Sequence, residues 1–173
     1  MRNSNEQPCD AVLGAHHIGI HVTSIDDALP FFVDALGLEV SFRWKPQAPY
    51  LAELLAAPGY KMEAAVLRVP GTSFAVELVH FGHVTAPPAE ARHAAAGTAH
   101  LALAVIDIDY MCQRITRAGY ELLSDPVQPT IGPIRGGRVV LAIGPDGVRV
   151  ELIQSPHSLH GEHDPHRNLS ADS

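Results

Sequence analysis

The sequence predicts an α+β fold in which one structural unit occurs twice in tandem. Segment 15–22 (AHHIGIHV) is matched by segment 99–105 (AHLALAV), and corresponding residues of the two segments lie 83 positions apart. Each copy later contains the tripeptide Val-Glu-Leu, at 76–78 in the first and at 150–152 in the second. The two copies therefore each provide a histidine and a glutamate at corresponding positions.

Each copy is predicted to begin with a strand, continue into a helix and end in two or three more strands. Ser24 resembles the first residue of a capping box and starts a helix over 25–37, in which Pro30 is compatible only with the first turns. Asp107 is the predicted cap of the second helix, over 108–119. Further strands are expected near 38–44, 62–69 and 73–81 in the first copy and near 120–123, 137–143 and 148–153 in the second.

Length and composition are those of one compact domain. Of 173 residues, 46% are hydrophobic and only 18% are charged, which is enough apolar material for a sizeable core. The predicted domain covers 12–155 and divides into a first module at about 12–82, a connector at 83–97 and a second module at about 98–155. Residues 1–11 are expected to be a disordered N-terminus, residues 46–60 an inserted loop or short helix, and residues 156–173 a flexible, histidine-rich tail.

Charge and hydropathy argue against two classes of partner. The net charge is −7 and no cluster of Lys and Arg could follow a phosphate backbone, so nucleic acid is not an expected partner. No stretch is apolar over the length of a membrane span, and the first residues lack the apolar run of a signal peptide. We therefore expect no membrane association and a cytoplasmic location.

Cys9 and Cys112 form neither a metal-spaced pair nor a disulfide framework and are expected to be reduced thiols.

Two glutamates within apolar strands are the residues most in need of explanation. Glu77 lies in FAVELVHF and Glu151 in GVRVELIQ, and alternation along a strand turns each away from its valine and leucine neighbours. On a sheet with one wet face, either glutamate alone would be an ordinary solvent-facing residue. On the first strand, the same alternation puts His17 on the face opposite the core residues, whereas His16 shares the side of Ile18.

The four corresponding residues together predict a metal site. If the two copies pack about a pseudo-twofold axis, His17, Glu77, His100 and Glu151 can converge. A cluster of carboxylates and imidazoles away from water needs a counter-charge, and a divalent cation supplies it. Two histidines and two glutamates are a common ligand set for one such ion.

The same residues carry a family resemblance. The pattern H-I-G-I-x-V-x-x-I-D…V-E-L, followed by H-L-A-L-A-V-x-D-I-D…G-P-D-G-V-x-V-E-L-I-Q, resembles the vicinal oxygen chelate superfamily. That superfamily includes glyoxalase I, methylmalonyl-CoA epimerase, extradiol dioxygenases and bleomycin resistance proteins. The resemblance covers about 12–155 and implies two tandem βαβββ modules that form a cleft with one metal site. It also implies a homodimer and a small-molecule substrate with vicinal oxygens.

By resemblance, the expected function is that of a divalent-metal-dependent isomerase, epimerase or lyase. The four residues match the ligand pattern of the glyoxalase I and epimerase branches: His17, Glu77, His100 and Glu151. There the metal, expected to be nickel, cobalt, zinc or manganese, polarises substrate oxygens, and Glu151 or Glu77 would move a proton next to a carbonyl. No organic cofactor is expected.

Two alternatives on the same scaffold stay open. An iron-dependent ring-cleavage dioxygenase would need only His17, His100 and Glu151, although Ala142 and Gly144 depart from the pattern of that branch. A small-molecule-binding or antibiotic-resistance protein would need no metal.

Four further side chains have weaker candidate roles around the same cleft. Arg43, Trp44 and Arg138 lie near strand ends, where they could hold an anionic substrate, and Glu53 could act as an auxiliary acid or base.

Overall fold

The computed structural model describes residues 14–45, 54, 61–82 and 97–156, and it confirms the predicted α+β fold. The first module consists of β1 (His17–His21), α1 (Ile25–Leu29), β2 (Glu39–Trp44), β3 (Met62–Arg68) and β4 (Ala75–Phe81). The second consists of β5 (Leu101–Ala104), α2 (Ile108–Arg117), β6 (Glu121–Leu122), β7 (Arg138–Ile143) and β8 (Arg149–Gln154). Three strands therefore follow α1, and three follow α2.

Several predictions fall on parts of the chain outside the described residues. These are the N-terminus at 1–11 with Cys9, most of the insertion at 46–60 with Glu53, the connector at 83–96 and the tail from 157 onward.

Each module forms a four-stranded sheet with the same strand order. The orders are β1-β4-β3-β2 and β5-β8-β7-β6, so the first and last strands of each module are parallel neighbours. Gly19 pairs with Glu77 across β1 and β4, and Ala102 pairs with Glu151 across β5 and β8. The internal repeat therefore extends to the register of individual residues.

The first helix differs from the uniform helix predicted over 25–37. Ser24 caps α1 as predicted, since its hydroxyl accepts a hydrogen bond from the Asp27 N–H. The helix then widens into a π-helical segment at Pro30–Ala35. Proline has no N–H to donate one turn back, which breaks the regular hydrogen-bond ladder at that point. Within the described ranges, no helix has the length and apolar character needed to cross a bilayer.

The hydrophobic core lies between the helices and the sheets, and it joins the two modules. Phe31 of the π-helical segment is fully buried, and its ring centroid lies 4.7 Å from that of Tyr120. The same ring packs on Gly144, where an added Cβ would come within 2.6 Å of the Phe31 Cδ1. At the neighbouring turn, the Thr23 N–H and hydroxyl both donate to the Asp146 carboxylate at 2.8 Å. The helical layer of the first module therefore rests on the β7–β8 turn of the second.

Candidate metal centre

Two of the predicted ligands, His17 and Glu77, form a pair where β1 meets β4, and we call this pair the first half-site. His17 begins β1 and Glu77 stands in the middle of β4, both on the sheet face turned away from the helices. The imidazole Nε2 of His17 is 3.3 Å from Oε2 of Glu77. The Glu77 side chain is only 17% exposed and the His17 side chain 40%, so the carboxylate is sheltered while the ring reaches solvent.

The second half-site repeats this arrangement where β5 meets β8. His100 directly precedes β5, and its Nε2 lies 3.1 Å from Oε2 of Glu151. The Glu151 side chain is again largely sheltered, and the His100 ring is about half exposed. The structure therefore brings together each histidine with the glutamate of its own module.

The donor chemistry of both pairs fits a divalent metal. Two ligands about 2.1 Å from one ion, at octahedral or tetrahedral angles, lie roughly 3.0–3.4 Å apart. The two nitrogen-to-oxygen separations, 3.3 and 3.1 Å, fall in this range. A small residue stands beside each glutamate, Gly19 in the first module and Ala102 in the second, and leaves room above the pair.

The four predicted ligands do not form a single cluster within one chain. Across residues 14–45, 54, 61–82 and 97–156, no three His, Cys, Asp or Glu side chains lie close enough together to hold a metal ion. The site residues are therefore placed as two separate pairs, and a four-ligand centre requires the pairs to be brought together.

His16, for which no role is predicted from the sequence, lies against the first half-site. Its Nδ1 is 2.8 Å from Nδ1 of His17, and the two rings meet edge to face at a centroid distance of 5.0 Å. When His17 carries the proton on Nδ1, it donates to His16 and keeps an unprotonated Nε2 on the side of Glu77. A partner on the second ring nitrogen is the usual way in which a metal-binding histidine is oriented. The adjacent histidines in the sequence were the only signal for this contact.

An apolar row runs from each glutamate towards the outer edge of its sheet. In the first module, Val66 pairs with Glu77 and Phe42 pairs with Val66; Phe42 is 54% exposed. In the second module, Leu141 pairs with Glu151, and the exposed Leu123 donates its N–H to the Leu141 carbonyl. These rows provide the apolar walls that a small-molecule site requires.

Arg43 and Arg138 are not free to hold a substrate as predicted. Arg43 donates to Asp26 at 2.7 Å and to Glu63 at 2.8 Å, on the helix side of the first sheet. Arg138 donates to both oxygens of Asp109 on α2, which lowers the pKa of that carboxyl group. Both guanidinium groups thus tie a strand to a helix and face away from the candidate ligands.

Trp44 remains a candidate for contact with a substrate, because it lies on the same sheet face as His17 and Glu77. It pairs with Ala64 on β3, two residues along β2 from Phe42, and therefore shares the sheet face of the half-site.

Comparison with known proteins identifies the family. A model of the glyoxalase/bleomycin resistance protein/dioxygenase superfamily matches residues 16–141, which is most of the chain. The chain belongs to this superfamily. This match confirms the membership of the vicinal oxygen chelate superfamily that the motifs of the two repeats predicted.

Two curated relatives of this superfamily member have enzyme names. The chain is 28% identical over 148 residues to a 2-epi-5-epi-valiolone epimerase from an Actinomyces species, covering 83% of this chain and 80% of the relative. It is 30% identical over 141 residues to a probable lactoylglutathione lyase from a Synechocystis species, covering 80% and 93%. A glyoxalase family protein from Bacillus cereus has a similar fold, with a TM-score of 0.76 at 24% identity over 86% of this chain and 98% of that one.

Proposed function

We propose that this superfamily member is a divalent-metal-dependent isomerase, epimerase or lyase that moves a proton next to a carbonyl group. The observation that carries the proposal is the repeated pair of His17 with Glu77 and of His100 with Glu151. The two pairs occupy corresponding positions of the two sheets, and their Nε2–Oε2 distances are nearly equal. The names of the two curated relatives, an epimerase and a probable lyase, favour the same class of reaction.

The proposed centre is completed by a second copy of the chain. Each chain offers two half-sites on separate sheets, and a twofold dimer can place the first half-site of one copy against the second half-site of the other. A dimer of this kind contains two equivalent centres, each with two histidines and two glutamates.

The residues would divide the chemistry between them. A bound divalent ion supplies Lewis acidity at the substrate oxygens, which makes the neighbouring C–H bond more acidic. His17 and His100 would hold the ion through their Nε2 atoms, with His16 orienting the ring of His17. Glu77 or Glu151 accepts the proton from carbon and returns it, either to the other face of the same carbon or to its neighbour. The apolar rows that end at Phe42 and Leu123 would contact the apolar part of the substrate.

Metal content of the purified chain tests the proposal. We expect one equivalent of nickel, cobalt, zinc or manganese per chain by elemental analysis, and loss of that metal in both His17→Ala and His100→Ala. His21→Ala is the matched control, because His21 lies on the same face of β1 but packs on the Phe81 ring at 5.2 Å. A chain that ends at Pro156 keeps its metal if the histidine-rich tail is not involved. A metal-free chain after reconstitution would instead favour a binding protein, and bound iron would favour ring cleavage.

Mixing the two histidine variants tests the shared site. If each centre is built from two chains, a heterodimer of His17→Ala with His100→Ala contains one intact centre and regains metal after subunit exchange. If each centre lies within one chain, every centre in the mixture lacks a ligand and no metal returns.

A further inference from the structure

A buried arginine stands beside the second half-site. Arg149 is the first residue of β8, two positions before Glu151, so the two side chains project from the same face of the sheet. The parallel register pairs Leu101 with Val150, so the residues that precede them, His100 and Arg149, are also neighbours where β5 and β8 begin. Arg149 is only 8% exposed.

Two guanidinium nitrogens of Arg149 lack the kind of partner that five other described arginines have. Its Nε and Nη2 atoms are buried and have no hydrogen-bond partner among the described residues. Arginines elsewhere in both modules donate to oxygen atoms of the protein: Arg43 to Asp26 and Glu63, Arg68 to Glu39, Arg114 to the Asp34 carbonyl, Arg117 to Gln113, and Arg138 to Asp109. The nearby carboxylate of Glu151 is paired with His100 instead.

A charge buried in this way is costly unless a ligand satisfies it. Guanidinium stays protonated at any pH at which a protein is folded, so Arg149 cannot lose its charge to reduce the cost. Leaving a buried donor unpaired forfeits its hydration without compensation. The corresponding position of the first module holds Ala75, so the fold of the repeated unit does not itself require a cation there.

The two unpaired atoms define the chemistry of the ligand. Nε and Nη2 are the donors on one edge of the guanidinium plane, and together they make the side-on, two-hydrogen-bond contact with a carboxylate or phosphate. We infer that Arg149 is a substrate-binding residue that holds an oxyanion, a carboxylate or phosphate group carried by the substrate, next to the His100–Glu151 pair.

This inference rests on the proposed function and narrows its substrate class. Side chains two residues apart on a strand are separated by roughly 7 Å at their Cα atoms. The anionic group held by Arg149 therefore lies only a few bonds from the carbon whose proton Glu151 would reach. The substrate is then a small organic acid or phosphate ester, with the anionic group on the side of the second module.

Anion binding can be measured without knowing the substrate and without metal. The melting temperature of the full-length chain is recorded with increasing inorganic phosphate, with acetate, and with chloride at the same ionic strength, both before and after chelator treatment. We expect phosphate or acetate, but not chloride, to raise the melting temperature, because a ligand that binds only the native state stabilises it. The more effective of the two anions identifies the group as phosphate or carboxylate.

Variants of Arg149 assign the effect to this residue. Arg149→Met should weaken the anion effect at least tenfold while leaving the melting temperature of the anion-free protein unchanged or higher, because an unpaired buried charge has been removed. Arg149→Lys keeps the charge without the planar fork and should also weaken binding. Arg135→Met, at an exposed arginine, is the control and should bind as the unmodified chain does.

Three results would overturn the inference. One is the absence of any anion-specific shift of the melting temperature in the unmodified chain. Another is an unchanged shift in Arg149→Lys; this variant keeps the side-chain stem and the charge, so it tests the inference even if Arg149→Met fails to fold. The third is a lower melting temperature with dissociation to monomers in Arg149→Met, which would mean that a second chain fills the site. Anion binding through Arg149 in a chain that takes up no metal would contradict the proposed function alone.

Discussion

The two modules of the chain share one backbone plan but differ in what surrounds their half-sites. Glu77 and Glu151 stand at the same register opposite a small residue, each with a histidine at about the same distance. Beside them the copies diverge. The first module has a second histidine, His16, against its ligand candidate, whereas the second has the buried Arg149.

The helix side of the sheets differs between the modules as well. In the first module Arg43 on β2 links Asp26 to Glu63, and Lys45 also pairs with Glu63. In the second module Arg138 on β7 contacts Asp109 directly. In both modules the helix contributes the corresponding aspartate, Asp26 or Asp109, and only the strand that carries the arginine differs, whereas the histidine and glutamate of the two half-sites correspond fully.

Removing one carboxylate from either module should have the largest effect. Glu77→Gln and Glu151→Gln each remove a charged donor, and we expect metal affinity to fall at least about 10²-fold, since even loss of a group that only orients a ligand costs 10- to 100-fold. Competition with a chelator measures the affinity. Equal losses would mean that both modules supply ligands to the same centre.

Glu63→Gln is the matched control for this comparison, because Glu63 lies on the opposite face of β3 and pairs with Arg43 and Lys45. A loss in Glu151→Gln alone would restrict the centre to the second module and remove Glu77 from the ligand set.

Packing between the modules should give the next largest effect. An added methyl at Gly144 would collide with the Phe31 ring, which is fully buried and held by Phe32 and Tyr120. We expect Gly144→Ala to lower the free energy of unfolding by about 1–3 kcal/mol, as overpacking typically does. Urea unfolding of metal-free protein measures this.

The control for Gly144→Ala is Gly19→Ala, which installs the residue that the second module has at Ala102. A Cβ at Gly19 would meet no atom within 4 Å. Its free energy of unfolding should stay within about 0.5 kcal/mol of the unmodified chain. An equal loss in both variants would mean that the Phe31 ring can move aside.

The contact behind His17 should have a smaller effect on the metal. His16→Ala leaves the His17 ring without its partner and gives the first module the residue that the second has at Ala99. We expect metal affinity to fall by about tenfold, the lower end of the effect of such partners. The reciprocal change, Ala99→His, offers His100 the same partner. Unchanged affinity in His16→Ala would make the contact incidental.

The sequence was sufficient to predict the fold and the sheet face of the candidate ligands, because both follow from local patterns, but it did not predict that these ligands lie as two separate pairs within one chain. Alternation along β1 separates His17 and Gly19 from the core residues, and the repeated Val-Glu-Leu places both glutamates. The helix caps at Ser24 and Asp107 were predicted from side-chain chemistry alone and are confirmed.

What the sequence could not provide depends on contacts between distant residues. Arg149 resembles a surface arginine in its own strand, and only the packed structure buries it. Arg43 and Arg138 find their partners on helices, 17 and 29 residues away along the chain. The widening after Pro30 likewise accompanies the packing of Phe31 on the second module, which no local pattern specifies.

The ion pairs on the helix side of the first module should have the smallest effect, and it appears only in acid. Lys45 and Arg43 lower the pKa of Glu63 below its ordinary value of 4.5. A carboxyl group whose pKa is lower in the folded than in the unfolded state stabilises the fold above the unfolded pKa, and this contribution disappears as pH falls through the folded pKa. When the pH is lowered from neutral to about 3, the free energy of unfolding should therefore fall less in Glu63→Gln than in the unmodified chain. The difference should be a few tenths to about 1 kcal/mol, because these ion pairs lie near the surface. Urea unfolding at the two pH values measures the difference, with Glu121→Gln, an exposed glutamate of the second module, as the control. An identical acid response in Glu63→Gln and the unmodified chain would show that the ion pairs of Glu63 with Arg43 and Lys45 add no stability to the fold.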